Sequence, residues 1–206
     1  MPKELFYELD IDKRNRIINA GLSEFARYSY NEASTNSIVK KASIGKGSLF
    51  KYFINKEDLY FYILDYVIDD FIKDLKDELS KLKGELFQFI LKYAEIEFNW
   101  YIKNIDKYNL INRAFNDDNS SIYKKTVERY KLTGLSFYNN IIESAEIQKL
   151  RWDRERILNI IRWVLEGLNE KFIKEADGYS NINDIKDCYI RELGEYIEIL
   201  KKGMYD

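Results

Sequence analysis

The chain has 206 residues, 46% of them hydrophobic, with 33 basic and 35 acidic side chains and a formal charge of -2. That is ample apolar material for a core. The absence of histidine removes most metal sites, most general acid-base schemes and every Ser-His or Cys-His nucleophile. The sequence therefore predicts no enzyme, no metal and no cofactor. Cys188 is the only cysteine, so no internal disulfide forms, and no run of about 18 uncharged apolar residues exists. The expectation is a cytoplasmic protein that makes no membrane contact.

Pro2 is the only proline, and Gly84, Gly134 and Gly178 read as punctuation between long periodic segments, so the chain is expected to be all-α. Asp12 is read as the cap of a first helix running to about Tyr28, with Ile17, Ile18, Gly21, Leu22 and Phe25 on its inner face. The stretch that follows, Ser34 to Asp58, holds Lys40, Lys41, Lys46, Lys51 and Lys56 and no acidic residue before Glu57. Ser34 or Thr35 caps a short helix with Ile38, Val39 and Ala42 on one face. Ser43, Ile44 and Gly45 break it. A second helix runs from about Lys46 to Tyr52, with Leu49, Phe50 and Phe53 at core spacing and Lys46, Gly47, Ser48, Lys51 and Tyr52 facing outward. Helix, three-residue turn and helix is an arrangement that reads duplex DNA, with lysines able to neutralise phosphates. Residues 1–58 carry 10 basic and 8 acidic groups against 23 and 27 in the remainder, so nucleic acid should meet the first part. The alternative that GKGS at 45–48 cradles a phosphate fails, because the glycine required four positions earlier is missing.

The order of residues in three segments carries more information: RNRIINAGLSEF at 14–25, STNSIVKKA at 34–42 and GKGSLFKYFINKEDL at 45–59. Together they resemble the tetracycline-repressor (TetR) family of bacterial regulators. The resemblance implies an N-terminal three-helix helix-turn-helix domain at 1–58 and a larger helical ligand-binding and dimerisation domain at 59–206, about nine helices in all. It implies phosphate contacts from Thr35, Lys51, Tyr52 and Lys56, and base-edge contacts from Lys46, Gly47 and Ser48, with Asn36 and Phe50. Ser43 stands where the family usually has Gly, so a non-glycine residue is forced to positive φ at a cost on the order of 1 kcal/mol. Gly45 replaces the usual serine cap, and Phe50 lacks the hydroxyl of the commoner tyrosine.

Beyond the head, Asn55 is expected to cap a helix to about Leu82, with Leu59, Tyr62, Ile63, Tyr66, Phe71 and Leu75 apolar. After Gly84, Gln88, Lys92, Glu95 and Asn99 form one narrow polar stripe on an otherwise apolar helix. Glu97 falls nearly opposite that stripe, amid Leu86, Ile90, Tyr93, Trp100 and Tyr101, and a carboxylate there needs a partner. Two readings stand: an internal ion pair with a residue such as Arg113 or Arg162, or a pocket carboxylate in an aromatic cage for a cationic or hydrogen-bonding ligand. Tyr108 to Phe115 reads as a short helix, and Asp117 and Asp118 as a solvated turn. Ser121 is read as the cap of a helix to about Ser144 that carries Tyr123, Val127, Tyr130, Phe137 and Ile141.

LRWD at 150–153 resembles the connection before the family's penultimate helix. The last two helices, about 153–176 and 182–203, are amphipathic and suit a homodimer interface. The site expected in the second domain is lined by Ile90, Tyr93, Glu97, Trp100, Tyr101, Tyr130 and Phe137. The reading that emerges is a ligand-responsive repressor that binds a palindromic double-stranded DNA operator as a dimer, with a small-molecule effector. The competing reading is an architectural or partner-recruiting DNA-binding protein on the same fold with no inducer.

Overall fold

The computed structural model describes residues 2–143, 152–175 and 181–204, without the side chains of 134–143, 182 and 204. These residues form ten helices and no strand: α1 (Glu4–Tyr7), α2 (Ile11–Arg27), α3 (Thr35–Lys41), α4 (Lys46–Tyr52), α5 (Lys56–Leu79), α6 (Leu86–Lys103), α7 (Ile105–Asn116), α8 (Tyr123–Glu143), α9 (Arg154–Lys174) and α10 (Ile182–Met204). The chain divides into two compact units, Met1–Ile72 with Asn104–Gly134, and Lys73–Lys103 with Leu135–Asp206.

In the first unit, α2 begins two residues earlier than expected. Asp10, not Asp12, is the cap, and its carboxylate accepts from the Lys13 amide at 2.8 Å. Asp12 then sits in the first turn, where its charge meets the positive end of the helix. Gly21 faces α5: a Cβ there would lie 2.2 Å from Ile63 Cδ1, so the missing side chain permits the close crossing. Ser34 caps α3 and Asn55 caps α5, the Asn55 side-chain Oδ1 accepting from the Asp58 amide at 2.9 Å. The α5 helix stops at Leu79, three residues short of expectation, in a turn closed by the Leu82 amide on the Leu79 carbonyl. Arg113 on α7 donates to the Ala26 carbonyl at the end of α2. Ser121 is not a cap; its hydroxyl donates to Asn31 at 2.7 Å, and α8 starts at Tyr123. Gly134 lies inside α8 rather than at a break.

The helix absent from the sequence reading is α1, which is too short to show a period. Phe6 is fully buried, with ring centroids 4.9 Å from Phe53, 5.2 Å from Tyr62 and 6.1 Å from Tyr52. The Lys3 amide donates to the Tyr52 carbonyl at 2.8 Å, and its ammonium to the Phe50 carbonyl at 3.1 Å. These bonds satisfy carbonyls that the end of α4 would otherwise leave open.

In the second unit, α6 packs against α9 and α10. Leu86, Phe89, Ile90, Tyr93 and Phe98 are buried while Gln88 and Lys92 are exposed, as the polar stripe requires. Phe98 stacks on Tyr189 of α10 at 4.0 Å and 7°, and Phe172 of α9 meets both rings edge-on. Asp153 caps α9, and Asn181 accepts from the amides of Asn183 and Asp184 to start α10. Leu150, Arg151 and Gly178, and the side chains of Phe137 and Ile141, lie outside the described residues. No helix among the described residues is long and apolar enough to cross a membrane.

Candidate nucleic-acid interface

The α3–α4 pair is held by its inner faces, Ile38, Val39, Ala42, Leu49 and Phe53, all buried. The turn between them needs left-handed backbone, and Ser43 supplies it at φ 55°, the one described non-glycine residue with positive φ. Gly45 precedes α4 with no side-chain cap bond. What remains outside is a surface of Thr35, Asn36, Lys40, Lys46, Gly47, Ser48 and Lys51. Thr35, Ser48 and Phe50 are half-buried; Asn36, Lys46, Gly47 and Lys51 are exposed. A Cβ on Gly47 would meet nothing within 4 Å, which leaves room for another molecule to approach the backbone.

Tyr52 departs from the expected outward position. It is 5% exposed, packed against Phe6 with the Lys13 ammonium 5.7 Å from its ring centre. The helix wheel misplaced it because α1, which covers that face, was not foreseen.

The five lysines divide into two groups. Lys41 pairs with Glu24 at 3.4 Å and reaches the Ser23 hydroxyl. Lys56 donates to the carbonyls of Ala33 at 2.7 Å and Asn31 at 3.3 Å and lies 4.6 Å from the centre of the Tyr30 ring. Burial pulls the Lys56 ammonium below its ordinary value, partly offset by the charge of Glu24. Lys41 thus ties the end of α3 to α2, and Lys56 fastens the loop before α3. Lys40, Lys46 and Lys51 are exposed and have no acidic partner among the described residues. Lys40 was not singled out as a contact from the sequence, although its outward position on α3 was the available signal.

Glu24 is the buried anchor of this head. Burial alone would raise its carboxyl, but the Ser37 hydroxyl at 2.6 Å, the Ser34 amide at 3.0 Å and Lys41 bring it below its ordinary value of 4.5. One carboxylate therefore joins α2 to the start and end of α3.

The second-unit candidates separate. Glu97 is 4% exposed, and its Oε1 accepts from the hydroxyls of Tyr93 at 2.7 Å and Tyr101 at 2.9 Å, its Oε2 from the Asn169 amide nitrogen at 3.2 Å. Among the described residues no lysine or arginine pairs with it. Arg113 belongs to the other unit and holds the Ala26 carbonyl, while Arg162 turns to Glu166 at 3.9 Å and to Asn159. Burial pushes Glu97 above its ordinary value; the two tyrosines and Asn169 oppose the shift and Glu166 adds to it. Ile90 is buried on the same helix, Trp100 donates to Asp74 at 3.1 Å, and Tyr130 lies in the first unit, hydrogen bonded to Asp65. Phe137 lies outside the described side chains. Asn169 was not anticipated, since a single asparagine within an apolar period gives no sign of its partner.

A cleft of about 630 Å³ opens in the first unit, with Tyr7, Phe61, Tyr62 and Tyr66 among its walls. Two of its acids are already engaged, Glu57 by Lys125 and Asp65 by Arg129.

Residues 17–63 match the family model for bacterial regulatory proteins of the tetR family. Among curated relatives, the negative transcriptional regulator IcaR of the biofilm operon icaADBC in Staphylococcus epidermidis is 24% identical over 157 residues, 74% of this chain and 80% of that protein. With several other curated regulators the match spans only 36–38% of their length. In fold, the chain is similar over 100% of its length to a TetR family transcriptional regulator from Chloroflexus aurantiacus, covering 99% of that chain with TM-score 0.73 at 21% identity. It is similar over 90% of its length to the regulator FadR from Bacillus subtilis, whose structure is a complex with stearoyl-CoA, covering 96% of that chain with TM-score 0.66 at 17% identity. The motif order, the α3–α4 geometry and the family match converge on one segment: residues 17–63, which contain α3 and α4 in a helix-turn-helix arrangement, are similar to the tetR family of bacterial regulatory proteins.

Proposed function

We propose that the chain is a ligand-responsive repressor that binds a palindromic operator as a homodimer, its two heads meeting half-sites about 34 Å apart. The observation that carries the reading is the division among the head lysines: two are committed to the fold, and Lys40, Lys46 and Lys51 face outward without acidic partners among the described residues. In this reading Thr35, Lys40 and Lys51 hold phosphates, and Lys46, Gly47, Ser48 and Asn36 meet base edges, with Phe50 beside them. Tyr52 and Lys56 act behind that surface by fixing the recognition helix and the loop before α3. Residues 1–58 serve the DNA and 59–206 serve dimerisation and the effector. A regulator that acts on chromosomal DNA works in the cytoplasm and has no catalytic role.

The homodimer forms through α9 and α10. Support comes from large apolar side chains on the outside of both helices, Trp163 at 62% and Ile199 at 67% exposure, with Ile160 and Tyr196 near them in sequence. Repression accords with the negative regulator among the relatives, and an effector accords with the ligand-bound FadR structure. The effector site is placed at Glu97, Tyr93 and Tyr101.

The test begins with duplexes selected by the protein from a random pool, followed by sedimentation of the complex. Two chains per palindromic duplex are expected, and Trp163→Asp with Ile199→Asp should give monomers that bind the duplex far more weakly. A wild-type monomer that holds a single half-site with full affinity would overturn the proposal.

A further inference from the structure

Asn169 is 6% exposed, and its Oδ1 has no hydrogen-bond partner although its amide nitrogen donates to Glu97 Oε2. Amide covalent geometry puts that oxygen within about 5.5 Å of Oε2. The same corner of the second unit therefore holds, among the described residues, a buried carboxylate with no cation on it and a buried carbonyl oxygen with no donor. Both deficits have one sign: each is an acceptor facing an absent N–H. Glu166, one α9 turn before Asn169, is exposed and close enough to act on Glu97 through its charge, so the cluster lies about a helical turn from solvent.

We propose that Glu97 Oε2 and Asn169 Oδ1 are the polar end of a site for an organic cation with at least two N–H donors, an amidinium or primary ammonium joined to an apolar body. The inference rests on the effector reading above and adds the ligand's charge. One N–H of such a head meets Oε2 and another meets Oδ1, so the cation neutralises the carboxylate and satisfies the orphaned carbonyl together. The Tyr93 and Tyr101 hydroxyls already donate to Oε1, which leaves Oε2 as the oxygen that meets the head. A neutral alcohol would satisfy Oδ1 and leave the charge uncompensated. An anionic head, such as the phosphates of the stearoyl-CoA bound by FadR, would face an unpaired carboxylate and a second one at Glu166.

The experiment titrates the full-length protein, by calorimetry, with benzamidine and phenethylammonium as cations, benzamide as the neutral isostere and benzoate as the anion. Ligands of this size are expected to bind with Kd of about 1 mM. Both cations should bind and benzoate should not. Glu97→Gln, which keeps the shape and the tyrosine bonds, should weaken the cations by more than about tenfold, as should Asn169→Leu. Glu95→Gln, on the polar stripe of the same helix, should change nothing. Absence of cation binding to the wild type, or binding that Glu97→Gln leaves intact, overturns the proposal. The effector reading is judged separately, by release of the selected duplex: if benzoate or stearoyl-CoA releases DNA from the wild type and from Glu97→Gln alike, the cation site falls and ligand response stands.

Discussion

Two glutamates are buried to nearly the same degree, Glu24 at 2% and Glu97 at 4%, and the molecule treats them in opposite ways. Around Glu24 the chain supplies a lysine, a serine hydroxyl and a backbone amide, and the carboxylate is held ionised. Around Glu97 it supplies two phenols and an amide and, among the described residues, no cation, and the proton is held more tightly than usual. The first arrangement is complete within the fold. It secures α3 against α2, and it withdraws Lys41 from the DNA surface. The second is incomplete, and incompleteness at a buried acid is a reason to look for something that binds there.

The sharpest way to break this contrast is to remove each carboxyl in turn. Glu24→Ala leaves the Ser34 amide, the Ser37 hydroxyl and Lys41 without their acceptor and should cost about 3 kcal/mol. Glu97→Gln keeps hydrogen-bonding atoms in place and relieves an unpaired buried charge, so at neutral pH it should move stability by less than about 1 kcal/mol, or raise it. Urea unfolding of both variants checks the pair. Comparable losses would mean that the cation on Glu24 is immaterial.

The pH dependence sharpens the comparison because the two signs differ. Glu24 titrates below 4.5 when folded, so its contribution is present above 4.5 and is lost as pH falls through its depressed folded value. Glu97 titrates above 4.5 when folded, so its contribution is present below 4.5 and is lost as pH rises through its raised folded value. Urea midpoints against pH should therefore show a low-pH slope that Glu24→Gln removes and a slope of opposite sign, above 4.5, that Glu97→Gln removes. The smallest expected effect lies in the turn of the head. Ser43→Gly relieves positive φ in a residue with a Cβ and should stabilise the protein by about 1 kcal/mol without altering DNA affinity.

The head was readable from its sequence to within a residue or two because each local signal agreed with the tertiary answer. Ser34 and Asn55 cap where capping chemistry places them, and the α3 and α4 boundaries follow from Ser34, the Ser43–Gly45 break and the apolar spacing. The misplacements arose where a long-range contact decided the matter. Tyr52 turned inward because Phe6, 46 positions earlier, covers it. Lys56, to which the resemblance assigns a phosphate contact, has its ammonium on carbonyls 23 and 25 positions away. The burial of Glu97 was legible from a helix wheel, but its partner Asn169 is 72 positions distant and no periodicity encodes that pairing.

The central claim is that three outward lysines of the α3–α4 pair, not all five in the segment, meet duplex phosphates. Fluorescence anisotropy with the selected duplex, titrated across salt concentrations for the wild type and for Lys40→Ala, Lys41→Ala, Lys46→Ala, Lys51→Ala and Lys56→Ala, measures it directly. Lys40→Ala and Lys51→Ala should each reduce the magnitude of the log-log salt slope by about one. Lys46→Ala should reduce affinity and relax base preference, and Lys41→Ala and Lys56→Ala should lower stability while leaving the slope of the folded protein unchanged. Equal slope losses at Lys41 and Lys56, or a slope untouched by Lys40 and Lys51, would contradict the account.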